Sequence, residues 1–495
     1  MTYDAVIIGA GLGGLECAYI LAKHGMNVCV LEQGTQMGGC LQSFKRRGIH
    51  FDAGFHYVGG LDEGRPLNRL FDYFGLLDLP WQKMDEQCFD EVVIGNDHYR
   101  FAQGHEAWQA ALAEQFPDQK NNLKKYDEAQ ANVGAHLFDA LGSRTADDFY
   151  NNKAFTTPAY QVLAGTIGDE RLRNVISGTS LKMELRPESL PFYVFAQINN
   201  SFIEGAYRLA GGGETLTNRM CENLRKMGVT LVTKAQVTQL EGEAGKISAA
   251  LCSNGERYEG RIFISNAHPA TTLSLVSEAV GLRKPYKKRI DRMENTYGMF
   301  TANIAIKPET LPYQNKNLYL YEEGTDIWNI SSPECPKGLL VSYGCTTPDQ
   351  KYASSIDLLC PMQMEELSEW KDTQIGHRGS DYEAFKAAKT EQCLRIAEKQ
   401  IPGLREATDR IYTSTPLTYR DYTGTRDGSA YGLRKDTNNT LQTFLPPKTP
   451  VENLLLTGQN LNLHGILGVS MTSFVTCSAL IGMEAATDGL KTKCD

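Results

Sequence analysis

Residues 4–39 read DAVIIGAGLGGLECAYILAKHGMNVCVLEQGTQMGG, and no other stretch limits the fold so strongly. A short apolar run, Ala5-Val6-Ile7-Ile8, has the character of a buried parallel strand. It runs into Gly9-Ala10-Gly11-Leu12-Gly13-Gly14, a G-x-G-x-x-G with glycines at 9, 11 and 14. A helical pattern follows, with Leu15, Ala18, Tyr19 and Ala22 on one face and Gly25 as the stop. A second strand, 27–31, ends in Glu32. Strand, glycine turn, helix, strand and acid together form a dinucleotide-binding unit. Gly9 allows the tight turn, Gly11 lets the backbone approach a pyrophosphate, and Gly14 lets the helix pack on the strand. The helix N-terminus offers free N–H groups to the phosphates, and Glu32 can accept hydrogen bonds from ribose hydroxyls. The alternative is a glycine turn in an ordinary βαβ unit.

A chain of 495 residues has room for two or three domains, or one domain interrupted by insertions. A net charge of −9 without a basic block argues against nucleic acid as a partner; Lys45-Arg46-Arg47 is too short and reads as a solvated turn. The first strand begins within a few residues, leaving no room for a signal peptide, and no apolar run approaches the roughly 20 residues of a membrane helix. A cytoplasmic protein is expected, with peripheral membrane contact left open. The 12 cysteines include no C-x-x-C and no ligand-like pairing with histidine, so no metal site is expected and a dithiol flavin reductase is disfavoured.

Further along, Gly38-Gly39 leads to a second glycine-containing stretch, 48–57, which suggests another close backbone approach to a ligand. From about 65 to 200 the pattern is mostly helical, as in Leu67-Leu70-Phe71-Phe74 and Trp108-Leu112-Phe116. After Gly211-Gly212-Gly213 come a helix over 214–227 and strands near 229–233, 246–253 and 258–264, with Asn254-Gly255 as a hairpin turn. Longer strands are expected over 299–306, 317–321 and 338–343, and a helix over 381–401. Last, 453–457 reads as a buried strand opening into Gly458-Gln459-Asn460 and a helix that starts between Gly465 and Gly468 and runs through Ala485.

Nucleotide-domain material thus appears three times, separated by two insertions. The expected fold is α/β: a discontinuous Rossmann-like FAD-binding domain, a parallel sheet with a β-meander, from 1–75, 205–290 and 446–490. The insertions 76–204 and 291–445 form an α+β substrate domain, helical plus mixed sheet. A pure NAD(P) dehydrogenase would usually have one continuous domain; the longer FAD needs contacts from distant parts of the chain.

The strings GAGLGGL, GAYRLAGGGETL with ISNAHP, and NLLLTGQNLNLHGILG resemble the phytoene desaturase and carotenoid isomerase branch of the FAD-dependent amine oxidase superfamily. GGCLQSF, FDAGFHYVGG, TPLTYRDYTGT and GSAYGL are similar to strings of the retinol saturase family within it. The resemblance spans nearly the whole chain and implies non-covalent FAD, with an external NAD(P)H or other electron donor left open. It places Gly9, Gly11, Leu12, Gly13, Gly14, Glu32 and Gln33 at the ADP half and Gly38 and Gly39 along the pyrophosphate and ribityl. Val237 opens a strand that meets adenine through backbone groups, and Gly458 and Gln459 lie near the ribityl. Gly468, Val469 and Ser470 begin a helix whose N–H groups face the flavin pyrimidine edge and stabilise its reduced anion. Two positions depart from the superfamily: Cys40 replaces a common Arg, and neutral Gln459 replaces a common acid.

The resemblance implies a hydrophobic polyene or isoprenoid substrate, saturated or desaturated at C–C bonds. Since flavin carries the redox chemistry, few protein groups are needed. The catalytic candidates are His56 as a general acid near neutral pH, Tyr57 beside it, and Arg420 as a head-group binder or a structural ion-pair partner. Tyr419, Tyr422, Tyr431 and His464 are secondary candidates. Phe192, Tyr193 and Phe195 either wall an apolar tunnel or pack a core. Three other functions compete: a non-redox cis/trans isomerase using reduced FAD, an amine oxidase, and a lipid-binding escort protein on the same fold.

Overall fold

The computed structural model describes residues 2–141, 152–330 and 336–490. Its first sheet is built around Thr2–Ile8, which lies parallel to Val28–Leu31 on one side and Arg257–Ser265 on the other. Ala5 to Ile8 are all buried, as a strand covered on both faces requires. Thr230–Val232 extends the sheet beyond Val28–Leu31. Beyond Arg257–Ser265 the sheet forks: Lys246–Cys252 pairs antiparallel with its first part, and Leu454–Leu456 pairs parallel with its last three residues. Val237–Glu243 completes the meander. Strands from the beginning, middle and end of the chain therefore share one sheet.

The second sheet has seven strands in the order Thr408–Ser414, Gly298–Ile306, Ser355–Met362, Gly338–Tyr343, Asn317–Tyr321, Asp90–Ile94 and Asp97–Phe101. Every neighbouring pair is antiparallel except Asn317–Tyr321 with Asp90–Ile94. Alternate side chains serve different layers. Tyr319, Leu340 and Leu359 pack against Phe192, Tyr193 and Phe195, while Leu318, Leu339 and Leu358 pack against Cys393 and Leu394 of the helix Ser380–Ala397. The three aromatics are thus core, not a tunnel wall.

The expected α/β class holds, with differences in detail. The stretch 65–200 contains strands Trp81–Lys83, Asp90–Ile94 and Asp97–Phe101 as well as helices. Lys45 and Arg46 lie in a hairpin strand, Ser43–Arg46, rather than a turn. The C-terminal helix Gly465–Ile481 stops before Gly482 (φ +83°), and a separate short helix, Met483–Ala486, follows.

Candidate functional site

One cavity of about 580 Å³ runs between the two sheets. Its nucleotide-like end touches Gly9, Gly11, Leu12, Gly13, Glu32, Gln33, Gly38, Gly39 and Val237. Its other end is walled by Ile198 and Phe202 of the helix Phe192–Ile203 and by Met299, Leu340 and Leu359 of the second sheet. The first sheet delivers the former group because loops at the carboxyl ends of its parallel strands converge there.

The glycine turn is tightly held. Gly9 (φ +92°) donates its N–H to Leu31 O at 2.8 Å, and Gly38 donates to Ala10 O at 2.8 Å. No side chain caps the first helix, Leu12–Lys23, so its N-terminal N–H groups remain for an anion. Glu32 is nearly buried; Oε2 accepts from the Ala10 N–H (3.0 Å) and Oε1 from the Gly34 N–H (2.8 Å). Those bonds fix the carboxylate and leave each oxygen a lone pair for a ribose hydroxyl. At the far side, Gly465–Ile481 also begins without a side-chain cap, and Gly465, Ile466 and Leu467 line the cavity. Two uncapped helix N-termini and one fixed acid along a single elongated cavity suit a flavin dinucleotide, which carries its negative charge mid-molecule and on the reduced ring.

Several cofactor candidates lie differently from expectation. Gln459 and Val469 line the cavity, whereas Gly14, Gly458, Gly468 and Ser470 do not. A Cβ on Gly14 would meet Gly9 O at 2.2 Å, and one on Gly13 would lie 3.1 Å from Gly458 Cα, so Gly14 and Gly458 permit close backbone packing under the site. The helix starts at Gly465, ahead of Gly468. Ser470 turns away and donates to Glu16 Oε1 at 2.6 Å.

Of the catalytic candidates, His56 and Tyr57 line the cavity and Arg420 does not. Arg420 donates to Asp421 Oδ1 (2.8 Å) and Lys371 O (2.6 Å), so its structural reading stands. Burial, helped by the Arg208 charge, pulls His56 down to about 4. Asp357, 3.7 Å from its Nδ1, is pushed up to about 7 by burial. His56 is therefore a neutral imidazole at pH 7 and not the acid expected. Tyr57 donates to Asp90 Oδ2 at 2.9 Å and shares a 2.6 Å bond with Tyr319. Burial and the adjacent Asp90 hold its hydroxyl well above the usual tyrosine range. His464 and Tyr431 also line the cavity, ring against ring at 4.7 Å; His464 Nε2 bonds Lys182 O at 3.0 Å, and Tyr431 donates to Leu181 O. Burial pulls His464 down to about 4. Tyr419 lines the cavity and bonds Thr301 Oγ1. Tyr422, more than half exposed, begins a segment through Arg426 that closes over the nucleotide end: a Cβ on Gly424 would lie 2.8 Å from Gln33 Nε2.

Four residues escaped the sequence reading. Lys182 lines the cavity, and Asn266 reaches across the glycine turn, its side chain 2.6 Å from a Cβ placed on Gly11. Lys435 is buried with its ammonium on three carbonyls. Glu16 is fully buried between the first and C-terminal helices, accepting from Ser470 and from Ser473 (3.0 Å). Its place was legible, since position 16 falls on the Leu12-Leu15-Tyr19 face of the first helix. Burial pushes its carboxyl from 4.5 up to about 8 against the two hydroxyls. The unfolded chain ionises first, so the stability present below pH 4.5 is lost as pH rises through 8, by up to about 1.4 kcal/mol per pH unit. Glu16→Gln is expected to flatten urea-unfolding stability across that window; an unchanged pH profile would show that Glu16 does not titrate there.

Comparison with known proteins agrees with this geometry. Residues 7–74 match the model of an NAD(P)-binding Rossmann-like domain. The all-trans-retinol 13,14-reductase of Rattus norvegicus is 27% identical, over 98% of this chain and 86% of its own length. Prolycopene isomerase 1 of an Oncidium hybrid cultivar is 22% identical, over 87% of this chain and 75% of its own. Among solved structures, a putrescine oxidase triple mutant superposes with a TM-score of 0.65 at 17% identity, covering 97% of this chain and 99% of that one. Among the described residues no helix is long and apolar enough to cross a membrane. The resemblance read from the sequence holds: along nearly all its length this chain is similar to the all-trans-retinol 13,14-reductases, with prolycopene isomerases as further relatives, on a fold shared with putrescine oxidase.

Proposed function

We propose that this chain is an FAD-dependent oxidoreductase that saturates or desaturates C–C bonds of a hydrophobic polyene or isoprenoid-like substrate. The observation that carries the proposal is the continuity of one cavity, from a dinucleotide-type glycine turn at one end to apolar walls at the other. Glu32 and the first helix would hold the ADP half, and Gly465 to Leu467 and Val469 would lie toward the ring end. FAD bound there supplies two-electron transfer to or from carbon. Ile198, Phe202, Met299, Leu340 and Leu359 exclude water and hold an apolar chain beside it. Tyr57, fixed by Asp90 and Tyr319, keeps the polar side of the chamber rigid. The flavin is held without a covalent bond, and NAD(P)H or another external donor reduces it. Ten free cysteines among the described residues accord with a reducing, cytoplasmic setting. Peripheral contact with a membrane, where such substrates reside, belongs to the same proposal.

The purified protein is expected to be yellow, and denaturation is expected to release the flavin into the supernatant. After anaerobic reduction, retinoids, carotenoids and other polyenes are then screened for reoxidation of the flavin spectrum. Reoxidation by none of them, together with rapid reduction of the oxidised form by a simple amine, would replace this reading with an amine oxidase. The isomerase relatives favour one second reading, cis/trans isomerisation on reduced flavin; it requires product without net consumption of electron donor.

A further inference from the structure

We propose that Lys182 is a further catalytic residue, the general acid that protonates the substrate when a C=C bond is saturated. The proposal rests on the saturating form of the function above. Saturation adds a hydride to one carbon and a proton to its neighbour, so a proton source must face the apolar chamber. Other proton donors on the cavity are engaged by neighbours: Tyr419 shares its hydroxyl with Thr301 Oγ1, and His268 Nε2 bonds Asn295 Oδ1. Tyr57 donates to Asp90, Tyr431 donates to Leu181 O, and His464 Nε2 is engaged with Lys182 O. His56 is neutral, and Arg426, at the nucleotide end, is paired with Asp291.

Lys182 is the one lysine among the described residues that line the cavity. Its side chain is 11% exposed, and Nζ stands 4.1 Å from the centre of the Phe202 ring, itself a wall of the chamber. Nζ donates to Tyr57 Oη at 3.4 Å and lies 3.8 Å from Asp90 Oδ2. An ammonium has three protons, and one hydrogen bond leaves two for a substrate. The groups facing it are Asp90, Tyr57 and Tyr319; Asp90 is shared, through Asn317, with the Arg208 guanidinium. His464 and, behind it, Lys435 lie on its backbone side. Burial pulls Lys182 down to about 8, with Asp90 acting the other way, so the ammonium is present at neutral pH and gives up its proton readily.

In the step, the Nζ–H bond breaks and a C–H bond forms from the π-electron pair of the substrate, while the adjacent carbon receives the hydride. The two electrons come from an external two-electron donor by way of reduced flavin. The neutral amine then regains its proton from solvent.

The test uses flavin-loaded wild type, Lys182→Met, Lys182→Arg and Asp90→Asn, with a polyene that the wild type saturates. Lys182→Met is expected to lower kcat about 100-fold or more, with flavin content and polyene Kd within a few-fold of wild type. Wild-type kcat is expected to fall above about pH 8 on one ionisation. Lys182→Arg, which stays charged, folds but is slow and lacks that limb. Asp90→Asn removes the countercharge and moves the limb to lower pH. Reductive 13C-methylation gives a readout apart from turnover: a dimethyl-lysine resonance absent from Lys182→Arg titrates near 8. Full kcat in Lys182→Met, or the same limb in Lys182→Arg, overturns the assignment while leaving polyene saturation intact. A wild type that saturates no polyene overturns the function and this inference together.

Discussion

Gly14→Ala is expected to purify without flavin and to lose several kcal/mol of stability. Gly14 opens no strained backbone; what it supplies is space. An added Cβ would lie 2.2 Å from Gly9 O and 3.3 Å from Ile7 Cγ2. The first contact is with backbone in the turn itself, so no side chain can swing aside. Relief requires the first helix to move off the strand Thr2–Ile8. Leu15, Ala18 and Leu21 of that helix are fully buried, and it packs on the C-terminal helix through the Glu16–Ser470–Ser473 contacts. Overpacking a well-filled core costs about 1–3 kcal/mol and sometimes more. The same displacement moves the N–H groups of Leu12 and Gly13 away from the phosphate position. Gly25→Ala is the control: its φ is +77° and nothing lies within 4 Å. It carries only the left-handed backbone cost of about 1–2 kcal/mol and keeps its flavin. Visible absorbance per protein and thermal midpoints separate the two. A Gly14→Ala protein as yellow and as stable as wild type would refute the packing argument.

The contrast between these glycines shows what a sequence reveals. Strands Thr2–Ile8, Val28–Leu31 and Asn317–Tyr321 and the first helix were legible because their signals are local: apolar runs, a 3.6-residue period and glycines at fixed offsets. Asp90–Ile94 and Asp97–Phe101 were not. Both are short: Asp90–Ile94 is held in the sheet by Asn317–Tyr321, more than two hundred residues later, and Asp97–Phe101 joins it only as the hairpin partner of Asp90–Ile94. In the site, the glycine turn and Glu32 were legible for the same local reason. The chemistry of His56 was not, since an imidazole on the page carries no record of the burial that neutralises it. Lys182 lies in an insertion stretch without a motif, and the Tyr422–Arg426 cover, although largely within the TPLTYRDYTGT string, carries no signal that it closes over the nucleotide end; only the tertiary fold brings both to the cavity. Arg420 was misplaced by adjacency: its neighbour Tyr419 reaches the cavity while its own side chain turns to Asp421.

Lys435→Met is expected to destabilise the protein by about 2–4 kcal/mol and to weaken flavin binding about tenfold. The Lys435 ammonium donates to Thr443 O (2.7 Å), Asn460 O (2.8 Å) and Leu461 O (3.1 Å). It thereby clamps the loop between strand Leu454–Leu456 and helix Gly465–Ile481, which carries Gln459 and His464 to the cavity. Methionine keeps the stem and removes all three donors; Leu461 O keeps the Leu445 N–H (2.9 Å), while each of the other two carbonyls, if left unsatisfied, costs about 1–3 kcal/mol. Loss of a buried cation's desolvation penalty offsets part of that sum, which gives the intermediate figure. The pH dependence reports the burial of the cation separately. Burial pulls Lys435 from 10.5 down to about 7. Between those values the unfolded chain binds more protons, so this contribution is fully present above pH 10.5 and lost as pH falls through 7, with a slope of up to about 1.4 kcal/mol per pH unit. The sign is opposite to that of Glu16, whose contribution falls as pH rises. Urea unfolding from pH 7 to 9.5 should therefore show a steeper rise in wild type than in Lys435→Met, in which only Lys182 adds to the rise above pH 8. An equally steep rise in both proteins would show that Lys435 does not titrate in that window, and an unchanged stability at pH 7 in Lys435→Met would show that it is not the clamp.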